Sequence, residues 1–228
     1  YGRTDYRTYA VINRRSLMSI YAVPTIHYDH CGCDATVPMI HVSLFYAEND
    51  GQYDRREGKK MGYIVLYRVP YINDSLIWAD GHSALMIDLC EFKNMCCDCS
   101  LNDYNNPYYD EECFYYDHYI LDKFYINKEF RGQGLAYESL YVGLRESGCT
   151  HSFLYLYPNP MTEGEGLTKE QLQRFYKRAV SNHKLIDEYK NVDYRGNQQT
   201  FFRISYWNTN NSAKKGEAGV YGDLEVFA

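Results

Sequence analysis

Apolar and polar positions along this chain follow two periods, and each predicts a different element. Residues 38–47 (Met39-Ile40-His41-Val42-Ser43-Leu44-Phe45-Tyr46 at their centre) read as a strand, and Lys60 to Pro70 reads as another. Glu48-Asn49-Asp50-Gly51 between them is a turn signal, so the two form a hairpin with a long, charged connection. His118 to Ile126 is apolar on both faces, as a central strand is. From about Gly134 to Ser147 the period lengthens to that of a helix, with Ala136, Leu140 and Leu144 as its stripe and Gly148 at the C′ position. Ser152 to Tyr157 is the next strand. A second helix starts at Thr168, where Thr168 and Gln171 form a capping box and Leu167 with Leu172 a hydrophobic staple. Leu172, Phe175 and Ala179 line one face of it. Leu185–Tyr194 and Thr200–Trp207 close the pattern as strands.

Elsewhere the pattern is weaker. Asn13 to Ala22 reads as a short helix with Leu17, Ile20 and Tyr21 on one face. Ser83 to Phe92 fits a helix or a strand, and the Cys- and Asn-rich stretch from Asn94 to Pro107 reads as a loop. The tail after Asn208 is rich in Asn, Lys and Gly and is expected to fray. The organisation expected is an N-terminal arm over 1–35, one domain over 36–207 with an insertion at 71–113, and a tail over 208–228.

Composition narrows the class. The chain has 228 residues, 45% of them hydrophobic, enough for a core. No apolar run approaches the roughly 20 residues of a membrane-spanning helix. A net charge of −6 argues against general nucleic-acid binding, which requires a basic face. Cysteine is abundant, and Cys149 alone follows the glycine-rich turn described next; Cys31, Cys33, Cys90, Cys96, Cys97, Cys99 and Cys113 precede it. A disulfide scaffold is usually much shorter, so the thiols are read as reduced and the protein as cytoplasmic. His27, His30, Cys31 and Cys33 with Cys96-Cys97-Asp98-Cys99 could supply zinc ligands, but the spacings are not those of a finger. Small buried thiols are the simpler reading, and no metal is expected.

Chemistry concentrates in Phe124-Tyr125-Ile126-Asn127-Lys128-Glu129-Phe130-Arg131-Gly132-Gln133-Gly134-Leu135-Ala136. A buried strand ends, a short turn follows, and glycines lead into a helix. Glycines let backbone approach a ligand, and the first helical N–H groups and the helix dipole face an anion, with Arg131 adding a full charge. A diphosphate suits such a turn. A P-loop would need Lys after Gly134, where Leu135 and Ala136 stand. A dinucleotide fingerprint would need a third glycine at Tyr137 and an acidic residue where the next strand ends in Pro158 and Asn159.

What remains resembles motif A of the GNAT superfamily, the acetyl-CoA-dependent N-acyltransferases. The pattern Arg/Gln-x-x-Gly-x-Gly/Ala is matched by Arg131, Gly134 and Ala136. The resemblance covers roughly 36–207 and is specific over about 114–180. It implies an α+β fold with a mixed, mostly antiparallel sheet flanked by helices, and acetyl-CoA as co-substrate. It implies that the amides of Arg131, Gly132, Gln133, Gly134, Leu135 and Ala136 hold the pyrophosphate. It further implies that Phe124, Tyr125 and Ile126 pair with the pantetheine, the Ile126 amide facing the thioester carbonyl. Phe175-Tyr176 resembles the family's Phe-Tyr-x-x-x-Gly-Phe segment, which makes Tyr176 the acid for the leaving thiolate. Val180 and Ser181 depart from that segment. Asn159 stands in for an Asn usually found shortly before this helix. Asp122 is the first candidate for the base, since it shares a strand face with Ile120, Phe124 and Ile126; Asp117 and His118 come second. The acceptor is expected to be a small-molecule or peptide amine, with no nucleic acid or membrane partner. The family often dimerises, so a homodimer is one expectation. The competing reading is a non-catalytic CoA-binding module whose Cys-rich half binds a partner or zinc.

Overall fold

The computed structural model describes residues 11–12, 18–30, 36–48, 58–70, 74–97, 106–149, 152–160, 167–179, 184–192 and 198–206. Their elements are β1 (Val11–Ile12), β2 (Met18–His30), β3 (Thr36–Glu48), β4 (Lys59–Val69), α1 (Asp74–Asp80), α2 (Ala84–Cys97), β5 (Asp117–Ile126), α3 (Leu135–Glu146), β6 (Ser152–Leu156), α4 (Lys169–Ala179), β7 (Lys184–Val192) and β8 (Gln198–Tyr206). The strands form one sheet in the order β1-β2-β3-β4-β5-β6-β8-β7. Every described pairing is antiparallel except β5 with β6, which is parallel and is bridged by α3. The fold is therefore mixed α+β.

Two cores lie on the two faces of this sheet. On the first face, α3 and α4 bring Leu140, Val142, Leu144, Phe175 and Tyr176 onto Ile20, Ile40, Val42, Ile64, Leu66, Leu121 and Ile126. On the second, α1 and α2 bring Trp78, Met86, Leu89 and Phe92 onto Val65, Tyr67, Val69, Ile120, Phe153, Tyr155 and Phe201. Period-two alternation explains the split: in β4, Ile64 and Leu66 face one core while Val65 and Tyr67 face the other. Burying both faces makes β6 buried along its whole length.

The ends of the helices follow local chemistry. In α4, the Thr168 amide donates to Gln171 Oε1 at 2.8 Å and the Gln171 amide to Thr168 Oγ1 at 3.3 Å, which is a complete capping box. Leu167 stays 47% exposed, so the staple buries little. α3 ends in a Schellman motif: Gly148 adopts φ +79, its amide donates to the Arg145 carbonyl at 3.2 Å, and that of Cys149 to Leu144 at 3.2 Å.

Two expectations need correction. Over 18–22 the predicted N-terminal helix is the start of β2, and 13–17 lie outside the described residues. Ile20, Tyr21, Val23, Thr25 and Ile26 are β-branched or aromatic, and pairing with β3 along the full strand places Ile20 and Ala22 on the first face and Tyr21 opposite. The insertion is not a loop over 94–97, because α2 continues to Cys97. Its apolar residues at Met86, Leu89, Cys90, Phe92, Cys96 and Cys97 complete a buried stripe on the second face. Residues 98–105, the 49–51 turn and the tail after Asn208 lie outside the described residues.

Candidate active site

β5 changes character half way. It pairs with β6 from Asp117↔Ser152 to Leu121↔Leu156, and there β6 ends while β5 continues to Ile126. The two strands part, leaving a V with its apex at Leu121 and Leu156. On its other side β5 stays paired with β4, with a register shift between Val65 and Leu66: Val65 faces Lys123 and Leu66 faces Leu121. Asp122 is the extra residue of this bulge.

The bulge corrects the expected face of Asp122. Ile120 packs in the second core, whereas Phe124 and Ile126 pack in the first. One inserted residue shifts the alternation, so no single face carries Ile120, Asp122, Phe124 and Ile126 together. The Asp122 side chain is 14% exposed, with Lys123 Nζ 3.6 Å from its carboxylate.

Beyond the bulge the ladder decides where the backbone points. The Asn127 amide donates to the Met61 carbonyl at 2.7 Å. Polar groups on an antiparallel strand face its neighbour at alternate residues. Asn127, Tyr125 and Lys123 therefore bond to β4, and the Phe124 and Ile126 amides face the other way, into the V.

The turn after β5 is held at both ends. Arg131 Nε donates to the Ile126 carbonyl at 2.9 Å, and Gln133 Nε2 to the Glu129 carbonyl at 2.7 Å. Gly132 has φ +73, and a Cβ built on it would meet nothing within 4 Å. Gly134, with φ 72, is the N-cap of α3 and makes no side-chain cap. Left-handed backbone at both positions needs glycine, and it leaves the first amides of α3 without a side chain over them. Arg131, Gly132 and Gln133 are exposed; Leu135 and Ala136 are half-buried.

α4 closes the first face of the V. Phe175 stacks on Tyr137 of α3 at 4.6 Å and on Phe124 of β5 at 6.0 Å. Tyr176 packs edge-on to Phe175 at 5.1 Å and is almost wholly buried, which raises its phenol pKa. Asn159 is exposed just past β6, its amide donating to the Tyr157 carbonyl at 2.9 Å. Tyr176, Phe124, Ile126 and the glycine turn are thus gathered at one end of β5, with Asp122 at the apex. Val180 and Ser181 lie outside the described residues.

The second-choice bases lie elsewhere. Asp117 and His118 begin β5, roughly 25 Å of strand from Ile126. Asp117 pairs with Arg68 at 2.7 Å. His118 Nε2 donates to the Cys113 carbonyl at 2.9 Å, so its Nδ1 accepts from the Tyr155 hydroxyl at 3.3 Å. Burial foremost, then Lys93, pushes its pKa down to about 4. His118 is a neutral, satisfied core histidine. Around it Arg203 Nη1 donates to Cys113 Sγ at 3.3 Å, and Cys97 Sγ lies 3.8 Å from His118 Nε2. Cys90, Cys96, Cys97, Cys113 and Cys149 are buried free thiols, and burial pushes Cys90 up to about 11 and Cys149 to about 12. Among the described residues no group of three His, Cys, Asp or Glu side chains could hold a metal ion. Cys31, Cys33, Cys99 and the His30 side chain lie outside what is described. No described helix is long and apolar enough to cross a membrane.

Pattern reading missed the bulge and a row of rings on the second face, His41, Tyr63 and Tyr125. Half-exposed tyrosines on successive strands are a visible signal, but the register that aligns them is not written in the sequence.

No protein-family model matches the chain, and no curated protein matches it. Among solved structures it is similar to a Desulfovibrio desulfuricans protein assigned as an acetyltransferase of the GNAT family, at 15% identity and a TM-score of 0.35, over 72% of this chain and 68% of that one.

Proposed function

We propose that the chain is an acyl-CoA-dependent N-acyltransferase that moves acetyl from acetyl-CoA to a primary amine by direct attack in a ternary complex. The observation that carries this reading is the parting of β5 from β6 beside a glycine turn, with the Phe124 and Ile126 amides turned into the gap. An open strand edge next to an anion-binding helix start suits a ligand with a diphosphate at one end and an extended, amide-bearing arm at the other. The residues fit it: the left-handed glycines expose backbone donors, and Arg131 stands exposed beside them.

The order of donors along β5 revises one assignment. An arm held at the turn passes Ile126 before Phe124 and ends toward the apex. The thioester carbonyl at its far end then takes the Phe124 amide, and Ile126 pairs with the arm. Asp122 lies about 7 Å along the strand from Phe124 but about 13 Å from Ile126, so the same revision puts base and oxyanion donor together.

Chemistry follows from these places. Asp122 takes a proton from the ammonium, directly or through water, and frees the amine lone pair. The nitrogen attacks the thioester carbon, the C=O electrons move to oxygen, and the Phe124 N–H stabilises the oxyanion. As it collapses the C–S bond breaks, Tyr176 gives its proton to the thiolate, and the second proton on the nitrogen returns through water to the Tyr176 phenolate, leaving a neutral amide and the CoA thiol. Holding both reactants in one cleft supplies much of the remaining acceleration.

Calorimetric titration with acetyl-CoA, with desulfo-CoA and ATP as controls, tests the reading. Micromolar affinity for acetyl-CoA and none for ATP is the expected result. Folded protein that ignores acetyl-CoA would sink it.

A further inference from the structure

Among the described residues, the second face of the sheet is only partly covered. α1 and α2 lie over Tyr67, Val69, Ile120, Phe153 and Tyr155, toward the start of β5. Toward the glycine turn the same face carries the three rings. His41 and Tyr63 are 5.6 Å apart with 19° between planes, and Tyr63 and Tyr125 are 5.4 Å apart with 27° between planes. The Arg131 guanidinium caps the row, its Cζ 5.3 Å from the Tyr125 ring centre. All three rings are half-buried, and His27, Lys60, Lys123 and Arg131 around them are exposed.

Strand side chains stand upright on a sheet, and these rings use their faces on one another. What they present outward is ring edge and two phenol hydroxyls. Ring edges carry the positive side of the aromatic quadrupole, so a flat guest laid across them makes edge-to-face contacts.

Charge points the same way. Partial burial, Lys60 and His27 all lower the His41 pKa, and no carboxylate among the described residues acts on that ring. The nearby acids are engaged, Glu129 by Lys59 and Asp122 by Lys123. In a chain of net charge −6, this corner gathers Lys60 and Arg131, neither of which has a described counter-ion. The first face of the V is shut by the Phe124–Phe175–Tyr137 stack, so an acceptor reaches the Phe124 amide past Tyr125 and Tyr63.

We propose that this corner is the acceptor site, and that it selects a primary alkylamine attached through a short chain to an aromatic ring with a carboxylate at the far end. The ring lies over the edges of Tyr63 and Tyr125, the amine reaches toward Asp122, and the carboxylate meets Lys60 on the His41 side of the row. The proposal rests on the N-acyltransferase reading above.

The test uses the full chain with acetyl-CoA and a matched pair of acceptors, para-carboxyphenethylamine and phenethylamine, following release of the CoA thiol. The carboxylated amine should have the higher kcat/KM by about tenfold, and added salt should shrink that ratio. Lys60→Ala should abolish most of the ratio while acetyl-CoA affinity, measured by calorimetry, stays the same. Equal use of the two amines, or a preference for phenethylamine, overturns the proposal. So does a Lys60→Ala protein that loses acetyl-CoA affinity, because the corner then serves the phosphates of acetyl-CoA. If acetyl-CoA itself fails to bind, the N-acyltransferase reading falls separately. Direct titration with the two amines still decides the site, and equal or absent binding rejects it.

Discussion

The two halves of β5 carry similar apolar sequence and do opposite work. From Asp117 to Leu121 the strand has a neighbour on each edge and a core on each face, and its buried polar groups are matched: His118 has the Cys113 carbonyl and the Tyr155 hydroxyl. From Asp122 to Ile126, among the described residues, one edge is open, the second face is half-exposed, and the outward amides have no strand beside them. His118, buried in the first half, is neutral and satisfied; Asp122, at the start of the second, sits beside the open edge. The side chains at the two ends are less different than their surroundings, and the bulge at Asp122 marks the border. Perturbed protonation alone would have chosen the closed half, since His118 is strongly shifted and lies far from the open edge.

The sharpest way to break this contrast is acid. His118 has a folded pKa of about 4, below the 6.5 of an unperturbed imidazole. The unfolded chain therefore binds the extra proton first, and the stability held by neutral His118 is full above pH 6.5 and is lost as pH falls through about 4. Between pH 7 and 4 that loss is about 3 kcal/mol for this group. Urea titrations should show wild-type protein losing about that much more than His118→Gln across the interval, with acetyl-CoA affinity at pH 7 unaffected by the substitution. Equal losses in the two proteins would mean that His118 does not titrate as a core group.

In the open half the largest expected effect is catalytic. Asp122→Asn should lower kcat by about a hundredfold, leaving acetyl-CoA affinity in place. An unchanged kcat would remove Asp122 from the mechanism and with it the functional meaning of the bulge.

How much of this contrast the sequence carried differs by element. Strand, turn and helix from His118 to Ser147 were legible because local rules agree there: a continuous apolar run, left-handed glycines, a 3.6-residue stripe and a Schellman stop at Gly148. The capping box at Thr168 was equally plain. β2 was not, since Leu17, Ile20 and Tyr21 also fit a helical face, and only pairing with β3 settles the period as two. α2 was obscured by its cysteines, which look like loop composition until they are seen facing a core. The site was readable as a set of types around one turn. The face of Asp122, the direction of the Phe124 amide and the alignment of His41, Tyr63 and Tyr125 depend on register and on one inserted residue, which are properties of strand pairs.

A smaller effect tests whether the turn is built for a ligand or only for compactness. Gly134→Ala puts a side chain at φ 72 and should cost about 1–2 kcal/mol of stability in thermal or urea unfolding. If the α3 amides hold a diphosphate, acetyl-CoA affinity should fall by about tenfold as well, because the shifted backbone misplaces its donors. Lost stability with affinity intact would reduce the turn to a structural corner.

The smallest effect belongs to Tyr176, and it is small for a chemical reason. A CoA thiolate is a fair leaving group without help, so a proton from Tyr176 accelerates a step that already proceeds. Burial raises the phenol pKa, which makes it a weaker proton donor, and edge-on packing against Phe175 fixes its ring. Tyr176→Phe keeps that packing and removes only the hydroxyl. Turnover should drop by roughly fivefold, with acetyl-CoA affinity and the unfolding midpoint close to wild type. A drop confined to stability would make Tyr176 a core residue like His118, and the boundary between the working and structural parts of the fold would then run between α4 and β5.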